Sequence, residues 1–177
     1  MSHKFLLVGL GNPGKKYEKT RHNAGRIILD CLKRTWLKDK GFQDDKIIFF
    51  TPESFMNETG APVALMMRKN GIQPQNLIIF HDDLDISAGE FRIQKNRSSA
   101  GHKGVQSIIE TLGARDFWRV RIGIGRPLPT ESPEKYVLKV LSKKICEKIC
   151  AFGQSQEFAQ KIKKIIINKQ YNEDHQN

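Results

Sequence analysis

The chain has 177 residues, 38% of them apolar and 28% charged, proportions that fit one globular domain and exclude collagen-like, coiled-coil and low-complexity classes. No apolar run approaches the ~20 residues of a membrane-spanning helix, and Met1-Ser2-His3-Lys4 leads straight into a strand-like run without a signal-peptide core, so a cytoplasmic protein with no membrane partner is expected. Thirty Lys and Arg against nineteen Asp and Glu leave a formal charge of +11, spread along the chain instead of gathered in a tail, which suits a polyanionic partner, with a solvated basic surface as the alternative that charge alone leaves open.

Lys4 to Leu10 reads as a buried strand closed by Gly11-Asn12-Pro13-Gly14. A polar loop follows from Lys15 to His22, and then Ala24, Ile27, Ile28, Cys31 and Leu32 recur at helical spacing to about Leu37. Lys46 to Phe50 is a second strand stopped by Thr51-Pro52. Ala61 to Lys69 is a helix ended by Asn70-Gly71. A third strand, Asn76 to His81, runs into Asp82-Asp83-Leu84-Asp85, and a short fourth covers Phe91 to Gln94. The loop Arg97 to Gly101 opens a helix at about His102 to Leu112. Trp118 to Ile124 alternates basic and apolar residues, which predicts a strand with one wet face. Ser132-Pro133-Glu134 is a helix start with proline at the first helical position. Ser142 to Ile167 is helical and amphipathic with a weak point at Gly153, and the tail after Asn168 is expected to fray. Strands alternating with helices predict an α/β fold: one domain over 1–177, a three-layer sandwich with a central mixed, mostly parallel twisted sheet flanked by helices.

Cys31, Cys146 and Cys150 are too few for a disulfide framework or a four-thiolate zinc site, and core packing is their expected role. Gly9-Leu10-Gly11-Asn12-Pro13-Gly14 matches the dinucleotide pattern G-x-G-x-x-G, and Asp30 stands near the distance of a ribose-binding acid. The physics argues against a nucleotide site, because Pro13 and further polar residues separate the third glycine from the helix whose amides should meet a pyrophosphate. His22 lies near the carboxyl end of the first strand, where open α/β sheets place their sites, and the third strand delivers acids to the same edge. Strand alternation puts Asp82 on one face and His81 and Asp83 on the other, so His81, Asp82, Asp83 and Asp85 make a poor joint metal site. A carboxylate aimed at His22 would fix its tautomer and make it a general base for water. Asn12 and Asn57 are neutral amides that could donate to a carbonyl across a cleft, or could serve only as turn and cap residues.

Val8 to Gly14, Tyr17, Thr20-Arg21-His22-Asn23-Ala24-Gly25, Ser54-Phe55-Met56-Asn57, His81 to Asp85, Gly101-His102-Lys103-Gly104 and Arg119 to Gly125 together resemble the signature of bacterial peptidyl-tRNA hydrolases. The resemblance runs in order over residues 5–125. It implies a monomeric esterase without metal or other cofactor and without an obligate protein partner, which cuts the ester between a stranded peptide and its tRNA and so recycles the tRNA. It also implies roles: His22 as water-activating base, Asp82 holding it in its basic form, Asn12 sensing the acylated nitrogen of the peptide, Asn57 near the scissile ester, and Tyr17 and Phe55 along the tRNA and peptide contact. Two departures from the family pattern stand out. Lys103 replaces the usual asparagine and is expected to contact tRNA, and only about 20 residues separate the first helix from Phe55, too few for the strand hairpin that relatives fit there. The alternative reading is a non-catalytic RNA-binding relative of the same fold, of the intron-splicing type. Retention of His22, Asp82, Asn12 and Asn57 favours the enzyme.

Overall fold

The computed structural model of the chain describes residues 4–38 and 46–174. The central strands are apolar on both faces because both are covered. β1 (Phe5–Gly9) and β3 (Leu77–Asp83) are buried at every residue, as expected of parallel strands between two helical layers. β2 (Ile47–Phe50), β4 (Phe91–Lys95) and β5 (Trp118–Gly123) complete a five-stranded sheet in the order β2-β1-β3-β5-β4. Among the described strands only β4 runs antiparallel, at the edge beside β5. Among the described residues the segment between the first helix and Phe55 contributes the single strand β2; residues 39–45 lie outside them.

α1 (Ala24–Lys38), α5 (Lys143–Gly153) and α6 (Gln156–Asp174) cover one face, burying Phe5, Leu7, Ile78, Phe80 and Val120 against Ile28, Leu32, Ile149 and Phe158. α2 (Gly60–Asn70) and α3 (Lys103–Leu112) cover the other, over Leu6, Val8, Leu77 and Ile79. The local stops follow the sequence. Gly71 adopts φ 65° and its N–H returns to the carbonyls of Arg68 and Met67, closing α2. The side chain of Ser132 accepts from the Lys135 N–H to start the short α4 (Pro133–Val137). The weak point at Gly153 is a full break: Ser155 Oγ accepts from the Phe158 N–H and begins a new helix, whose backbone continues past Asn168 to Asp174. Residues 1–3 and 175–177 lie outside the described residues. Among the described residues no helix is long and apolar enough to cross a membrane.

The expectation of a wet face on β5 is corrected. Arg119 is buried and Arg121 nearly so, because each cation finds a remote partner. Arg119 Nη1 donates to the Ser98 carbonyl at 2.7 Å, and Arg121 Nε donates to Asp83 at 2.7 Å. Burial, with Arg121 and Arg97 close by, lowers the Arg119 guanidinium to about 10. The cysteines are packing residues, as expected. Cys31 donates to Cys150 Sγ between α1 and α5, and burial pushes the Cys31 thiol up to about 12, which keeps it protonated.

Candidate active site

β1 and β3 are neighbours whose onward connections lead to opposite sides of the sheet, and their carboxyl ends form the crevice where such sheets hold their sites. The glycines after β1 serve close packing. A Cβ on Gly25 would stand 2.1 Å from the Phe80 carbonyl oxygen, so only glycine lets α1 begin against β3. Asp30 is exposed and outside the crevice. That tight start delivers His22, in the single turn Arg21–Asn23, to the end of β3.

His22 Nδ1 lies 2.9 and 3.0 Å from the two Asp82 carboxylate oxygens. A carboxylate accepts only, so Nδ1 carries the hydrogen, and in the neutral ring Nε2 keeps its lone pair. The structure adds a residue to which sequence reasoning gave no role. His102 caps α3 through Nδ1, which accepts from the Val105 N–H, and its Nε2 donates to the same Asp82 oxygen at 2.9 Å. A cap residue in a glycine-flanked loop carries no sequence signal beyond its place in the motif Gly101 to Gly104. Burial alone would raise the Asp82 carboxyl, but His22 and His102, through charge and hydrogen bonds, outweigh it and hold the group far below the usual carboxylate range.

The other acids go elsewhere. Asp83 accepts from Arg121 and from the Asp85 backbone, and Asp85 pairs with Arg126 at 2.5 Å in half-exposed surroundings. His81 turns its Nδ1–H onto the Asp82 carbonyl at 2.7 Å, beside the His102 ring. Its buried Nε2 has no partner among the described residues. Burial, with His102 adjacent, pushes its imidazole down to about 3. Asp82 alone of His81, Asp82, Asp83 and Asp85 turns its side chain to both His22 and His102.

Asn12 is oriented by its neighbours. Its backbone exchanges two hydrogen bonds with the Asn23 side chain, at 2.9 and 3.0 Å. Its Oδ1 accepts from the Met56 N–H at 2.9 Å. That fixes the amide flip and leaves Nδ2 as donor. Asn12, His22, Phe55, Asn57, Asp82, His102 and Lys103 all line one cavity of about 570 Å³. Asn57 sits exposed in the turn Met56–Glu58, and Lys103 is exposed at the first residue of α3. Phe55, 51% exposed, and Leu138, 46% exposed, give the cavity an apolar border. Tyr17 is not part of the lining; it packs edge-on against Phe55 with ring centres 6.4 Å apart.

Comparison with known proteins identifies the family. The chain is 39% identical over 175 residues to the peptidyl-tRNA hydrolase of Dichelobacter nodosus, covering 91% of each chain. It is 42% identical over 150 residues to that of Aquifex aeolicus, covering 77% of this chain and 78% of the relative. The crystal structure of peptidyl-tRNA hydrolase from Acinetobacter baumannii superposes with a TM-score of 0.82 at 27% identity, covering 97% of this chain and 93% of that one. The family model described as peptidyl-tRNA hydrolase matches residues 6–177, and the chain belongs to that family.

Proposed function

We propose that the chain carries out the family's reaction, hydrolysis of the ester between peptide and tRNA, with His22 Nε2 as a metal-free general base, as a cytoplasmic monomer. The observation that carries this reading is the pairing of His22 Nδ1 with both oxygens of a buried carboxylate, so that the neutral ring offers Nε2 as its acceptor nitrogen. A water in the cavity gives a proton to Nε2 while its oxygen attacks the ester carbon. Asp82 stabilises the imidazolium that results. The oxyanion of the tetrahedral intermediate takes hydrogen bonds from Asn57 and from free amides at the start of α3. Collapse breaks the bond to the ribose oxygen of the tRNA, and the imidazolium returns its proton to that oxygen.

Asn12 supplies selectivity in this scheme. With Oδ1 occupied by Met56, it offers only N–H donors. A peptide carbonyl accepts from such a donor, whereas the free ammonium of an aminoacyl-tRNA has no acceptor to offer. Lys103 at the mouth and the apolar border of Phe55 and Leu138 suit tRNA phosphate and peptide side chains respectively. The test is release of N-acetyl-aminoacyl groups from tRNA in excess chelator. Wild-type protein should turn over, and His22→Ala should lose at least ~100-fold while keeping its circular dichroism spectrum. Loss of activity in chelator, restored by a divalent ion, would overturn the metal-free base.

A further inference from the structure

We propose that His22, Asp82 and His102 form a seat for a borderline-soft divalent cation, zinc or cobalt, and that filling it switches hydrolysis off; the second half rests on His22 being the base. One nitrogen from each histidine and an Asp82 oxygen lie within 4.8 Å of one another. Both nitrogen–oxygen separations are 2.9 Å. Bonds of ~2.0–2.1 Å in a tetrahedral site set ligand atoms about 3.3 Å apart, so each nitrogen–oxygen pair opens by about 0.4 Å while the two ring nitrogens, which lie within 4.8 Å of each other, close toward the ion by rotation of the imidazoles. All three side chains line the cavity, which gives an entry path and a water for the fourth position. Two imidazoles and one carboxylate select zinc, cobalt, nickel or copper over magnesium. Lys103 and the amino end of α3 stand nearby as positive charge and hold the affinity down.

Proton positions make the seat inhibitory. A neutral imidazole coordinates through the nitrogen that lacks the hydrogen. Coordination at His22 Nδ1 therefore moves the proton to Nε2, and the lone pair that would take a proton from water is gone. Coordination at His102 Nε2 likewise moves its proton to Nδ1 and removes the acceptor for the Val105 N–H. No proton is released in either exchange. The ion replaces two N–H hydrogens directed at Asp82.

The experiment titrates metal-free protein, without tRNA, with Co²⁺ and reads the visible absorption of four-coordinate cobalt. Saturable absorption should appear, and Zn²⁺ should abolish it. His102→Asn keeps an acceptor at the helix cap but removes a ligand, so it should weaken cobalt binding by at least ~10-fold, the loss seen when even an outer partner of a metal site is removed. Zn²⁺ should stop turnover of N-acetyl-aminoacyl-tRNA over the concentration range in which it displaces cobalt, and chelator should restore it. No saturable absorption, or equal affinity in His102→Asn, would overturn the seat and leave the base untouched. A faster reaction with zinc bound would overturn the inhibition, and the metal-free base with it.

Discussion

His81 sits one residue from the proposed catalytic carboxylate and is held neutral where an unfolded chain would leave its imidazole free to charge. Its folded value of about 3 lies below the ordinary 6.5, so between those two values the unfolded chain binds the extra proton. The stability this gives is complete above pH ~6.5 and is lost progressively as pH falls toward ~3, by about 2 kcal/mol at pH 5. Urea unfolding of wild type and His81→Asn at pH 7 and pH 5 should show the variant losing less stability between them. Equal losses would mean that His81 is not the titrating group. Asp82, held below the usual carboxylate range, adds its own loss only below pH ~4. Lys103 is a separate residue-scale test. If its ammonium meets a phosphate from the cavity mouth, Lys103→Asn should weaken tRNA binding and flatten the slope of log affinity on log salt by about one contact. An unchanged slope and affinity would remove it from the interface.

Among the elements, α1 is placed by a single missing methyl group. Gly25→Ala would drive a Cβ into the Phe80 carbonyl, forcing α1 off β3 and carrying His22 away from Asp82. Strain of this kind costs about 1–3 kcal/mol or more, so the variant should unfold at lower urea and hydrolyse more slowly even where it is fully folded. Wild-type activity with wild-type stability would show that the contact yields freely. The strands and helices were legible in the sequence because each carries its own period or punctuation: the apolar run of β1, the Gly71 stop, the serine starts of α4 and α5. That an acid meets His22 was legible because the first and third strands bring both to one carboxyl edge; that the acid is Asp82 was implied by the family resemblance. The buried β5 face was not. Its arginines look like a solvent face until Asp83 and the Ser98 carbonyl, distant in sequence, are brought to them. His102 was invisible for the same reason, since its partner Asp82 lies 20 residues away.

At the scale of the whole molecule, the +11 charge sets how the substrate is held. Affinity for tRNA should fall linearly in log–log with salt, at about −0.9 per duplex phosphate contacted. A small N-acylated ester lacking tRNA should show little of that dependence. Salt-independent tRNA binding would mean that the charge is merely solvated.

The parallel order of the strands has a consequence in time. His22 and Asp82 are 60 residues apart, and β3 is flanked by β1, far upstream, and by β5, downstream of β4. Such non-local pairing forms late and slowly compared with local helices. A growing copy of this chain is itself a peptide esterified to tRNA, the very bond the finished fold cleaves. Until β5 and the His102 cap have left the ribosome, that nascent copy has no assembled site with which to cut its own tether.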